Sequence, residues 1–98
     1  MEEKDIRYGY VRSVWKAGDL NSFDEIFRII PRSVVATDLH LNYERFSAKV
    51  LNPRKFSLQD IHKLALLIGM PFKDLIQLIL PKMDIVDQNG RDQPIETA

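Results

Sequence analysis

The feature that most constrains this chain is the joint His40-Leu41-Asn42. Before it, Val35 and Leu39 stand four residues apart; after it, Phe46 and Val50 do the same. That spacing puts each pair on one face of a helix. Three residues are too few to let two helices lie antiparallel, so the segments must cross steeply, as in a helix-turn-helix. A third stripe, Ile61, Leu64, Ala65 and Ile68, follows at helical spacing. Pro31 to Met70 therefore reads as three short helices with tight joints, and the flanking chain as their support.

A chain of 98 residues, 45% of them hydrophobic, has material for one domain and one modest core. No apolar run approaches the 18 or so residues that a membrane span needs. The opening MEEKDIRYGY is acidic and aromatic, unlike a signal peptide. With no cysteine, disulfides, thiol catalysis and cysteine-ligated zinc are excluded, and a reduced cytoplasmic setting is expected. Net charge is zero, yet its distribution is uneven. Between Ile30 and Phe56 the bases Arg32, Arg45, Lys49, Arg54 and Lys55 outnumber the acids Asp38 and Glu44. After Leu80 the balance reverses, with Asp84, Asp87, Asp92 and Glu96 against Lys82 and Arg91. The positive excess thus lies on the paired helices and the loop after them.

In chain order, Ile6 to Ala17 has an amphipathic helical pattern closed by Gly18, although its β-branched and aromatic content also permits a strand. Ser22-Phe23-Asp24-Glu25 has the spacing of a capping box. The helix it starts, Phe23 to Ile30, carries Phe23, Ile26, Phe27 and Ile30 on one side. Pro31 stops that helix or opens the next, which runs from Arg32 or Ser33 to Leu39. Asn42 suits the N-cap of a helix from Tyr43 to about Leu51, closed by Asn52-Pro53. Ser57 caps a helix to Ile68, with Asp60 in its first turn and Gly69 at its end. After Met70-Pro71 a last helix, Phe72 to Leu80, turns Leu75, Ile76 and Ile79 inward, and Pro81 ends it. Residues 81–98 have no periodicity and several breakers, so a disordered tail is expected after a domain spanning residues 1–80. The expected fold is all-α, a compact bundle of five to six short helices.

From about Pro31 to Ile79, half of the chain, the sequence resembles the lambda-repressor-like, or XRE-type, helix-turn-helix domains. Val35-Ala36 stands where that family has Leu-Ala in the first motif helix. His40-Leu41-Asn42 matches its Gly-Val-Ser turn, and Phe46 the apolar residue four places past the cap. Phe56-Ser57-Leu58, Leu64-Ala65 and Ile68-Gly69 follow the family's later Pro-Ser-Leu, Leu-Ala and Leu-Gly landmarks. Three departures stand out. His40 replaces the turn glycine, whose place favours a positive φ. Pro31-Arg32-Ser33 replaces the Thr-Gln opening, and the stretch from Arg12 to Ile30 holds more helix than the usual single leading one. The opening GYVRSVWKAGDLNSFDEIFRIIP is similar to small bacterial proteins of this type. The resemblance implies a bundle of that family's fold and a bacterial transcriptional regulator bound to double-stranded DNA, with Tyr43 to Leu51 as the helix that reads it.

On that helix the expected outward residues are Tyr43, Glu44, Arg45, Ser47, Ala48 and Lys49. Arg45 suits guanine edges, and Tyr43 or Lys49 a phosphate or a thymine methyl. Asn42 and Ser47 complete the expected contact surface. Arg54 and Lys55 suit backbone phosphates, as do Arg32 and Ser33 at a helix start. An ordinary solvated face explains the same residues about as well one by one. Neither His40 nor His62 has a second histidine at metal spacing, no serine sits in a recognisable triad, and there is no glycine-rich phosphate loop. No enzyme, metal or cofactor is expected. The second class of function left open is a protein-interaction module, antitoxin-like for example, that keeps the fold without binding DNA. Tyr8, Tyr10 and Trp15 are its candidate anchors, the alternative for Trp15 being a place in the core. A homodimer is expected in the DNA-binding case, because one short helix reads only a few base pairs; α-helical contact through the aromatic N-terminal segment or the segment Phe72 to Leu80 is the expected route.

Overall fold

A computed structural model describes residues 5–83. Six α-helices fill this span: α1 Arg7–Lys16, α2 Phe23–Ile29, α3 Arg32–Asp38, α4 Tyr43–Leu51, α5 Leu58–Ile68 and α6 Phe72–Ile79. There is no strand among the described residues, and the strand option for the first segment is excluded. The expected disorder of the tail falls on residues 84–98, which lie outside the described residues. Up to Met83 the expected boundary moves outward: a 3₁₀ turn, Leu80–Met83, continues α6. Pro81 has no N–H to donate, so it breaks the α ladder but not the tighter turn. Lys82 within this turn reaches the Asp24 carboxylate at 3.0 Å and ties it to α2.

The helix ends follow local chemistry. Ile30 is extended because Pro31 follows it, which stops α2 one residue early. The capping box expected at Ser22 does not form. Ser22 makes no side-chain cap, and the Glu25 carboxylate instead accepts the amide of Asn21 at 2.8 Å, one residue upstream. At α4 and α5 the caps do form: Asn42 Oδ1 accepts from the Arg45 amide at 3.0 Å, and Ser57 and Asp60 make a reciprocal box. His40 takes a positive φ of 59° at the turn between α3 and α4. Gly69 ends α5 at φ 89°, and a Cβ there would lie 2.8 Å from the Arg12 guanidinium. That guanidinium donates to the carbonyl of Ile68 at 2.8 Å, capping the end of α5 from α1.

The core takes one side of each helix: Tyr8 and Val11, Phe23 and Ile26, Val35 and Ala36, Phe46 and Val50, the four-residue stripe of α5, and Leu75 with Ile79. Within and beside it, four aromatics close a ring of edge-to-face contacts. Phe23 meets Phe27 (5.2 Å between centroids) and Phe56 (5.9 Å), and Phe46 meets Phe27 (5.8 Å) and Phe56 (6.1 Å). This ring fixes α4 and the loop after it to α2. Phe27 and Ile76, expected in the core, sit at its edge, half-buried.

Tyr8 is no surface anchor. Its ring is 2% exposed, and its hydroxyl donates to Asp38 at 2.7 Å, joining α1 to the end of α3. Burial, and then the hydrogen bond to the carboxylate, push its ionisation well above the ordinary tyrosine range. The folded value is raised over the unfolded one, so this contribution to stability is complete below about pH 10 and is lost as pH rises through and beyond it. Chemical denaturation from neutral to strongly alkaline pH should show a falling midpoint whose slope flattens in Tyr8→Phe. An unchanged slope in the variant would contradict the burial of this hydroxyl. Trp15 packs half-buried against the core, and Tyr10 remains exposed.

Candidate nucleic-acid interface

α3 and α4 are each other's chief neighbours around the His40 turn, with Val35 and Ala36 of one and Phe46 and Val50 of the other buried. With Phe46 and Val50 inward, helical spacing turns Glu44, Ala48 and Leu51 outward, and Arg45 lies along one flank of that strip. Tyr43, Glu44 and Arg45 are exposed on the first turn. Asn42 is exposed as well, but its carbonyl oxygen is spent on the cap, leaving the amide nitrogen to donate outward.

Two of the expected contact residues are placed differently. Ser47 is half-buried; its hydroxyl oxygen is out of reach of solvent and has no hydrogen-bond partner. It sits a quarter-turn from the core stripe, too close to it to face outward. Lys49 turns toward α5, where its ammonium donates to Asp60 Oδ2 at 2.7 Å. The same oxygen accepts the Ser57 amide at 3.0 Å. Partial burial raises the Asp60 pKa, but the Lys49 ammonium and the Ser57 hydrogen bonds outweigh it, and the carboxyl ends below its ordinary value. Lys49 therefore holds α4 against the start of α5 instead of reaching away from it. The sequence carried one half of this pair in plain view, Asp60 at the capping position, but eleven residues and a turn separate it from Lys49.

The remaining cations stay open to solvent or half-open. Arg45 is exposed on α4, Arg54 and Lys55 are exposed on the 3₁₀ turn Pro53–Lys55 that follows it, and Pro53 anchors that turn in the core. At the start of α3, Ser33 is exposed and Arg32 half-buried. Ion pairs among the described residues are Arg7–Asp5, Lys49–Asp60 and Lys82–Asp24, so none of Arg32, Arg45, Arg54 and Lys55 is neutralised by a described acid. Comparison with protein-family models, curated proteins and solved structures finds no match to this chain. No group of histidine or acidic side chains among the described residues is arranged to hold a metal. No single described helix is long and apolar enough to cross a membrane.

Proposed function

We propose that this chain binds double-stranded DNA as a bacterial transcriptional regulator, with α3 and α4 as a lambda-repressor-like helix-turn-helix in the cytoplasm. The observation that carries the reading is a cationic set with no described acid partner: Arg45, exposed on the first turn of α4, and Arg54 and Lys55, exposed on the turn that follows its last residue. Arg45, on the first turn of α4, has the reach and donor geometry for a guanine edge in the major groove. Tyr43 lies beside it for a phosphate or a thymine methyl. Arg54, Lys55, Arg32 and Ser33 flank them as phosphate contacts. Lys49 acts indirectly, by setting the angle of α4.

The two kinds of contact separate experimentally. Duplex titrations with Lys55→Ala should show weaker binding to all sequences alike and a salt dependence flatter by about one unit of slope. Arg45→Ala should cost roughly 1–3 kcal/mol on the preferred site and relax its sequence preference. Equal effects of both substitutions on every duplex would remove base reading from the account.

One observation favours the second reading, an interaction module without DNA binding. The outward strip of α4 runs from acidic Glu44 to Leu51, which is 72% exposed. A carboxylate repels phosphate, and an exposed leucine offers apolar surface to a protein partner. In that case the Arg45 and Lys55 substitutions leave duplex binding absent, as it is in the parent chain.

A further inference from the structure

On the side formed by the end of α3 and the outer face of α5, a shallow groove of about 300 Å³ is lined by Asp38, Leu39, His40, Lys63, Leu66 and Leu67. Tyr43, Arg45, Arg54 and Lys55 are not among its lining residues. Leu39 and Leu67 are half-buried and form its apolar floor, while Leu66 stands at its edge 64% exposed. The patch thus holds a hollow and a projecting leucine side by side. It also holds one acid and one base, Asp38 and Lys63, neither of them in an ion pair among the described residues; Asp38 Oδ2 accepts the Tyr8 hydroxyl, which leaves Oδ1 for a second donor.

We propose that this groove is the contact face between two copies of the chain related by a two-fold axis. A two-fold interface uses the same patch twice, so the patch must carry both halves of every contact. This one does. Leu66 of each copy enters the hollow between Leu39 and Leu67 of the other, and Lys63 of each faces Asp38 of the other. The acid and base are matched in number, and apolar surface lies between them, as in an interface with a desolvated centre and a charged rim. The exposed Ile6 and Tyr10, at the cap and on the first turn of α1, stand beside Asp5 and Arg7, whose charges already pair with each other at 2.8 Å. The expected dimer contact therefore moves from α1 and α6 to α3 and α5. The proposal stands on this geometry and holds whether or not the chain binds DNA.

Sedimentation equilibrium of the full chain, up to about 1 mM, tests it. The wild type should pass from monomer to dimer within that range. Leu66→Glu should remain monomeric, since it places a charge in each hollow. Lys63→Glu should weaken association by roughly tenfold, because it sets acid against acid twice, and added salt should restore part of the loss. Leu58→Glu, an equally exposed leucine outside the groove, should associate like the wild type. Circular dichroism checks that each variant keeps its helices; all three positions are exposed, so folding is expected to survive. A wild type that stays monomeric throughout overturns the proposal and leaves the groove to a foreign chain. A dimer untouched by Leu66→Glu, or equally weakened by Leu58→Glu, overturns it too.

Discussion

Replacing Phe46 by alanine should destabilise the domain by about 3–5 kcal/mol. The ring is fully buried and touches two aromatic neighbours edge-on, Phe27 from α2 and Phe56 from the loop after the 3₁₀ turn. Phe23 closes the circle through both of them. Truncation loses the transfer free energy of the ring and leaves a cavity that three rigid rings cannot easily fill. A domain of this size has roughly 5–15 kcal/mol of stability in all, so much of it goes with this one side chain. The effect reaches the candidate site, because the ring fixes α4 and the Arg54–Lys55 turn to α2. Leu51→Ala, on the same helix but exposed, should change stability by no more than about 0.5 kcal/mol. Urea unfolding of the two variants beside the parent gives the comparison. A loss below about 1 kcal/mol for Phe46→Ala would mean that the aromatic ring does not organise the core.

Ala36→Leu should cost about 1–3 kcal/mol, by the opposite mechanism. Ala36 is 1% exposed in a helix packed chiefly on α4, and its carbonyl accepts the Leu41 amide at 2.9 Å to close the turn. Extra carbons at a helix crossing must displace either the neighbour or the turn. For a domain of this size each kcal/mol lowers the melting temperature by about 4–8 °C. Thr37→Leu, one residue on and exposed, makes the matched control. An unchanged melting temperature for Ala36→Leu would show that α3 and α4 do not meet closely at this position.

Much of the architecture was legible because the relevant signals are local. Asn42, Ser57 and Gly69 mark helix ends by their own backbone and side-chain chemistry, and α4 spans Tyr43–Leu51 as its flanks dictate. The His40 φ of 59° answers to the short joint between two stripes. Ser22 departs from the expected box for a local reason too: the spacing to Glu25 suits it, but a carboxylate can accept from any of several nearby amides, and here it accepts from Asn21. The contacts that pattern could not supply are the long-range polar ones. Tyr8 meets Asp38 across thirty residues, Arg12 meets the Ile68 carbonyl across fifty-six, and Lys49 meets Asp60 around a turn. Each depends on how helices cross, which periodicity does not encode. The same holds for the candidate site, where exposure of Arg45 followed from its helix face and that of Arg54 and Lys55 from their place in the loop after it, but the diversion of Lys49 did not.

The measurement that bears most directly on the DNA reading is a titration of a pool of random duplexes with the wild-type chain at stepped salt concentrations. Arg45, Arg54, Lys55 and Arg32 provide up to four cations for phosphate or base contact. The account predicts binding at low salt, with the logarithm of the association constant falling linearly against the logarithm of salt. The slope should be on the order of the number of phosphates engaged, a few units, and should flatten when Lys55 is replaced. Absence of salt-dependent binding to any duplex at the lowest salt would contradict the account and leave the protein-interaction reading in its place.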